Sequence, residues 1–204
     1  DQVEQVVPDF LMLLRGVIDS PDIPLNVSRS ALQADGNVKK ITSHISKKVA
    51  DKLSEIFKKE RESYENKWDG ISLFVKYGML SDEKFAEKAS SFVLLKNTDN
   101  KLFTFEEYEA LVKPNQTDKD NKVNYLYANN AETQYQNIEN AKEKGYDVLL
   151  LNEMIDVHFV SLLEQKLSDS VFKRVDSEAS DKLIDKGEVR ETILSKKHLK
   201  VLET

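Results

Sequence analysis

The sequence contains no cysteine. That absence excludes disulfides, thiolate nucleophiles and cysteine-ligated metals together, and it fits a reducing compartment. Histidine is nearly as scarce. His44, His158 and His198 lie far apart without metal-ligand spacing, so no bound metal is expected. With 6 Gly and 4 Pro there is little material for long flexible linkers. No glycine-rich loop is present to cradle a phosphate, and no G-x-S-x-G or nucleophile–base pair can be found. The chain alone therefore reads as neither a nucleotide-binding protein nor an enzyme. No apolar run approaches the roughly 20 residues that span a bilayer, so no membrane partner is expected. A net charge of -6 argues against a general nucleic-acid binder. The chain opens at Asp1 without Met or a signal peptide, and its first residues read like the interior of a longer protein, so a fragment is expected.

What is present is a well-solvated globular composition: 32% charged, 40% hydrophobic, mean hydropathy -0.52. The chain is organised around Ile23-Pro24-Leu25-Asn26-Val27-Ser28-Arg29-Ser30-Ala31-Leu32-Gln33. Pro24 fixes its own φ and pushes Ile23 toward extended backbone, so no helix runs through this point. Ser28 can begin a single helical turn, which would present Arg29 and Gln33 on one side of a loop. A guanidinium is a planar fork suited to phosphate, and Gln sets a neutral amide beside it. A solvated Arg29 paired with a nearby carboxylate is the alternative.

Around this stretch, residues 8–14 read as a short helix and 15–19 as a strand whose packing partners must come from elsewhere. From Val38 the period changes. Val38, Ile41, Ile45, Val49, Leu53, Ile56 and Phe57 recur at three and four residues, the mark of one long amphipathic helix. Lys39, Lys40, Lys47, Lys48 and Lys52 leave that stripe and make the region locally basic. Tyr64, Trp68, Ile71 and Val75 continue an apolar face, Gly78 offers a helix stop, and Ser81-Asp82-Glu83 a capped start. The span 38–95 is thus expected to be three packed helices with Trp68 in their core.

Thr104-Phe105-Glu106-Glu107 fits a capping box for a short helix, with 114–121 as a polar loop after it. Then come a strand from Val123 to Ala128, a helix over 131–144 stopped by Gly145, an apolar strand 148–151, a helix over 153–166 and a strand 171–175. Such a β-α-β-α-β series implies right-handed crossovers and parallel strands. Its core is expected to be independent of the first half of the chain, and 177–204 to be a linker too poor in apolar residues to anchor itself. On the 153–166 helix, Ile155, Phe159, Leu162 and Leu163 suffice as a core stripe. Val157 and Val160 are left over, at or beyond its edge, and suggest a weak binding surface.

The run Gly16-Val17-Ile18-Asp19-Ser20, then Asp22-Ile23-Pro24-Leu25-Asn26-Val27-Ser28-Arg29, then Leu32-Gln33, closely resembles the loop and preceding strand of the heat-shock protein 90 chaperone family, in its bacterial form. The resemblance covers nearly the whole chain, is strongest over 8–33 and 123–175, and is weakest after 177. It implies the family's middle domain. On that reading the fold class is α/β: 1–62 is the end of a larger α/β layer bearing the loop and the long helix, and 63–96 a helical connector. A small three-layer α-β-α unit fills 97–176, and 177–204 leads toward a dimerisation domain, so that the whole protein would be a homodimer.

The resemblance also implies function. ATP and Mg would be held by a separate amino-terminal domain, with no cofactor on this chain alone. Arg29 would contact the γ-phosphate and Gln33 would support it. Unfolded clients would bind partly through the small unit, with Val157, His158, Val160 and Ser161 as candidates. Some relatives carry a large aromatic where this chain has His158. Two other readings stay open on the residues alone: an α/β interaction scaffold without a catalytic role, and an anion- or nucleic-acid-binding module built on the basic helix from Lys39 to Lys59.

Overall fold

The expected amphipathic stripe forms one uninterrupted helix, α1 (Gly36–Lys59), followed by α2 (Arg61–Ser81) and α3 (Glu83–Ala89). The structure, a computed structural model, describes residues 7–11, 36–178 and 182–187, the side chains of 36–38 excepted. The 15–19 strand, the 20–33 loop and everything beyond 187 lie outside the described residues. Of the 8–14 helix, the part described is a 3-10 turn at Asp9–Leu11, closed by Leu11 N–H donating to Pro8 O at 2.8 Å.

Asp82 starts α3 as expected, its carboxylate accepting from Phe85 N–H at 3.1 Å. Gly78, however, does not stop α2, which continues to Ser81. Its role is steric. A Cβ at Gly78 would stand 2.7 Å from the Phe85 ring and 3.0 Å from Phe10. Both rings are buried and packed on each other at 4.7 Å between centroids. Gly78→Ala is therefore expected to destabilise by about 1–3 kcal/mol through overpacking. Urea unfolding would measure it, and a neutral or stabilising effect would show that the rings can retreat.

Trp68 lies in the helical core at 2% exposure, beside Tyr64, Phe85 and Phe92. After α3 a small hairpin, not foreseen, joins β1 (Leu95–Lys96) to β2 (Leu102–Phe103). Asn97 nucleates its turn by accepting from Asp99 and Lys101 N–H at 3.0 and 2.9 Å. The capping box is formed: Thr104 and Glu107 satisfy each other's backbone N–H groups at the start of α4 (Phe105–Gln116). Glu107 also receives Arg61, at 2.7 Å from one guanidinium nitrogen, and the Arg61 cation holds its carboxyl down at about 2.

The polar loop expected from Pro114 begins later, because α4 passes through Pro114 to Gln116. Gln116 is buried and fastens that last turn. Its amide donates to Asn124 O at 2.7 Å and accepts from Asp147 N–H at 2.6 Å.

The remaining elements are β3 (Val123–Ala128), α5 (Tyr135–Glu143), β4 (Val148–Leu150), α6 (Asp156–Lys166) and β5 (Ser170–Arg174). The strands form a parallel sheet in the order β4-β3-β5, with Leu126 opposite Val148 and Tyr125 opposite Phe172. Gly145 closes α5 at φ 75°, as a C′ glycine should. That helix begins at Tyr135 and not at 131, because Asn130 and Gln134 side chains bind the backbone of 129–133 and hold it as turns.

Strand alternation splits β3 between two buried faces. Val123 and Tyr125 join Phe159, Leu163 and Phe172 in a cluster continuous with Trp68 and Val75 of α2. Leu126 and Ala128 face Ile138, Ala141 and Val148. The core expected to be independent of the first half is thus shared with the helices. The sparse segment after 177 is also anchored over 182–187. Leu183 and Ile184 are buried in the second cluster, and Lys119 N–H donates to Asp185 O at 2.8 Å.

Candidate functional site

Arg29 and Gln33 lie outside the described residues; among the described residues the candidate surface is the one around α6. That helix starts without a side-chain cap from Ile155. Asp156, its first residue, takes over: one carboxylate oxygen accepts from Glu153 N–H at 2.9 Å. The other accepts from Lys76 Nζ of α2 at 2.6 Å. Lys76 also donates to Glu153 at 2.7 Å, and Ser72 Oγ, one turn earlier on α2, donates to the same carboxylate at 2.7 Å. The Lys76 and Asp156 side chains are 8% and 3% exposed, and that of Glu153 is 31% exposed. The ammonium also stands 5.7 Å from the centroid of the Phe159 ring, a cation–π contact. An acid in the first helical turn suits the helix dipole, and here it is matched by a cation from another helix.

A cleft of about 260 Å³ opens beside this cluster, lined among others by Trp68, Ser72, Lys76, Leu95, Leu151 and Glu153. Across it Lys96 Nζ grips both oxygens of Asp69 at 3.0 Å. A second polar knot forms at Asp147, just before β4. Asp147 accepts from Asn97 and from the Tyr108 hydroxyl, each at 2.9 Å, and burial pushes its carboxyl above the usual range. This knot ties the hairpin and α4 to the start of β4.

The four α6 candidates fall into two groups. Val157 is 73% exposed, and His158 and Ser161 are exposed with it, Ser161 Oγ donating to Val157 O at 3.2 Å. Val160 is half-buried and packs against the first core cluster, so it is an edge of the core and not a free surface residue. Met154, just before the helix, is 97% exposed and was not singled out from sequence. The Lys76–Glu153–Asp156 cluster was missed too. Its signal was an Asp three residues before Phe159 and seven before Leu163, in the core stripe, and a Lys directly following the core residue Val75. His44 is exposed on α1, and no group of three or more potential metal ligands occurs among the described residues. No described helix is long and apolar enough to cross a membrane.

The split between Val157 and Val160 yields an expectation. Val157→Ser should leave stability within about 0.5 kcal/mol, as surface changes do. Val160→Ser should cost more, since it places a hydroxyl against the core. Thermal unfolding of the two variants would compare them, and equal losses would erase the distinction.

A sequence profile of the family described as "Hsp90 protein" matches residues 1–202. The "Chaperone protein htpG" of Bacteroides fragilis (strain YCH46) is 57% identical over 194 residues, covering 95% of this chain and 28% of its own length. That of Porphyromonas gingivalis (strain W83) is 58% identical over 195 residues, covering 96% and 28%. This chain therefore spans less than a third of the relatives it matches. Among solved structures, the middle domain of a Plasmodium falciparum heat shock protein superposes with a TM-score of 0.60 at 20% identity, over 83% of this chain and 65% of that one. That likeness concerns the fold.

Proposed function

The chain belongs to the Hsp90 family, and from that premise we propose that it is the middle segment of an ATP-dependent, HtpG-like molecular chaperone of the cytoplasm. Its Arg29 reaches the γ-phosphate of ATP held, with Mg, by the amino-terminal domain of the same protein, and Gln33 supports that contact. Unfolded or partly folded clients are received in part on the exposed face of α6, through Val157, His158 and Ser161. The whole protein works as a homodimer joined by a carboxy-terminal domain.

The support for the catalytic half is the resemblance carried by the run from Asp22 to Arg29, with Gln33 four residues beyond. A fixed cation placed at a transferring phosphoryl group suits charge that redistributes along the reaction. For the client half, the support is an apolar residue left 73% exposed on a helix whose other apolar residues are at least half-buried. The direct experiment joins the amino-terminal ATPase domain to this chain and follows steady-state ATP turnover. Turnover should rise well above that of the ATPase domain alone. Equal rates with and without this chain would remove the catalytic half and leave an interaction scaffold.

A further inference from the structure

The cluster between α2 and α6 has a construction that packing alone does not call for. Burying the charges of Lys76 and Asp156, with Glu153 partly covered beside them, is expensive, and an ion cluster in such a place rarely outperforms well-packed apolar residues of the same volume. What it does supply is direction. Lys76 has one geometry that meets Asp156, Glu153 and the Phe159 ring together, at 2.6, 2.7 and 5.7 Å. An apolar contact, being non-directional, would accept many.

The three groups met by Lys76 gather at the start of α6: Asp156 is its first residue and Phe159 its fourth, and Glu153 opens the turn over 153–155 that leads into it. Asp156 is moreover the group that holds that turn's backbone, through Glu153 N–H. Ser72 adds a second hydrogen bond one turn along α2, so Glu153 is gripped at two points on one helix. The cleft beside Ser72, Lys76 and Glu153 is open rather than filled with side chains. On this side the approach to α6 is held by polar contacts and not by close packing.

We infer that Lys76, with Asp156 and Glu153, is the positioning device of α6: an ionic seat on α2 that fixes the direction in which the Val157–Ser161 face is presented. Lys76 acts through α6 and touches no client, which makes it a positioning residue. The effect on clients rests on the reading of α6 as a client surface; the seat itself does not.

The absence of cysteine makes the test direct. Asn66→Cys on α2 and Gln165→Cys on α6, both exposed positions, carry spin labels on the 204-residue chain. The distance distribution is compared between the parent and the triple variant Lys76→Met, Glu153→Gln, Asp156→Asn. The triple change removes all three charges together and leaves no buried carboxylate without its cation. Its melting midpoint should stay within about 4 °C of the parent. A narrow parent distribution that becomes broad or shifts in the triple variant is the expected result. An unchanged distribution at an unchanged midpoint would overturn the seat.

In parallel, affinity is measured for a reduced, carboxymethylated and therefore permanently unfolded polypeptide. It should fall several-fold in the triple variant and also in Val157→Ser. Should the distance respond while neither variant alters affinity, the client reading of α6 is wrong and the seat stands. Should Val157→Ser weaken binding while the triple variant alters neither distance nor affinity, α6 binds clients and the seat is wrong.

Discussion

Replacing Arg29 with alanine in the longer protein proposed above is expected to lower ATP turnover by about 10²–10³ while leaving nucleotide affinity and folding nearly unchanged. Folding should survive because Arg29 is a charged side chain between Ser28 and Ser30, in a stretch that Pro24 keeps from being a continuous helix, so its removal is not expected to open an apolar cavity. Affinity should survive because the adenine and most phosphate contacts would belong to the other domain. What is lost is selective. Charge on the γ-phosphoryl group changes along the reaction, and a preorganised cation aimed there favours the transition state over the bound ground state. One such donor is worth roughly 3–4 kcal/mol.

The conservative variants sharpen that expectation. Arg29→Lys should recover only part of the rate, since a point charge replaces a two-pronged fork. Gln33→Ala should do less harm than Arg29→Ala, because a neutral amide makes the weaker hydrogen bond. Steady-state turnover measured beside nucleotide affinity checks all three. Wild-type turnover by Arg29→Ala would end the catalytic assignment.

How far the sequence led can be judged residue by residue. Where one local rule acts alone, it was sufficient. The 3–4 spacing from Val38 to Phe57 gave α1, Thr104 with Glu107 gave the start of α4, and Gly145 gave the end of α5 at positive φ. The apolar run 148–151 gave a strand buried in the sheet, and the alternating series gave parallel pairing around β3.

Local rules misled where a distant residue decides. Gly78 reads as a stop until Phe85 and Phe10 are seen to occupy the space of its missing side chain. Pro114 reads as a breaker until Gln116 is found fastened to Asn124 and Asp147. Leu183 and Ile184 look too few to anchor anything, yet two side chains suffice when a ready apolar face of Leu126, Ile138 and Val148 awaits them. The same limit applied to the site. Val157 was legible as a surplus apolar residue, whereas the tie between Lys76 and Asp156 spans 80 positions and carries no local signature. Such a pairing is fixed by tertiary packing, which no window of neighbouring residues contains.

Removing Lys76 alone should have the largest effect on stability of any single change on α2 that opens no large cavity. In Lys76→Met the stem is kept, so little packing is lost. Asp156, with a side chain 3% exposed, is then left as a buried carboxylate without its cation. Breaking a buried pair in this way costs about 3–5 kcal/mol, mostly as the penalty of the stranded charge. The lower end is expected here, because Glu153 is 31% exposed and the adjoining cleft admits water.

The origin of that loss can be separated by a cycle. Asp156→Asn keeps an acceptor for Glu153 N–H and leaves Lys76 its bond to Glu153, so it should cost less than Lys76→Met. The double variant should then be more stable than Lys76→Met alone, because the second change removes the stranded charge that the first created. Urea unfolding followed by circular dichroism gives the four values. Additive losses, or a Lys76→Met loss below about 1 kcal/mol, would mean that the two side chains behave as a solvated surface pair, and the joint between α2 and α6 would rest on Phe159 and Leu163 alone.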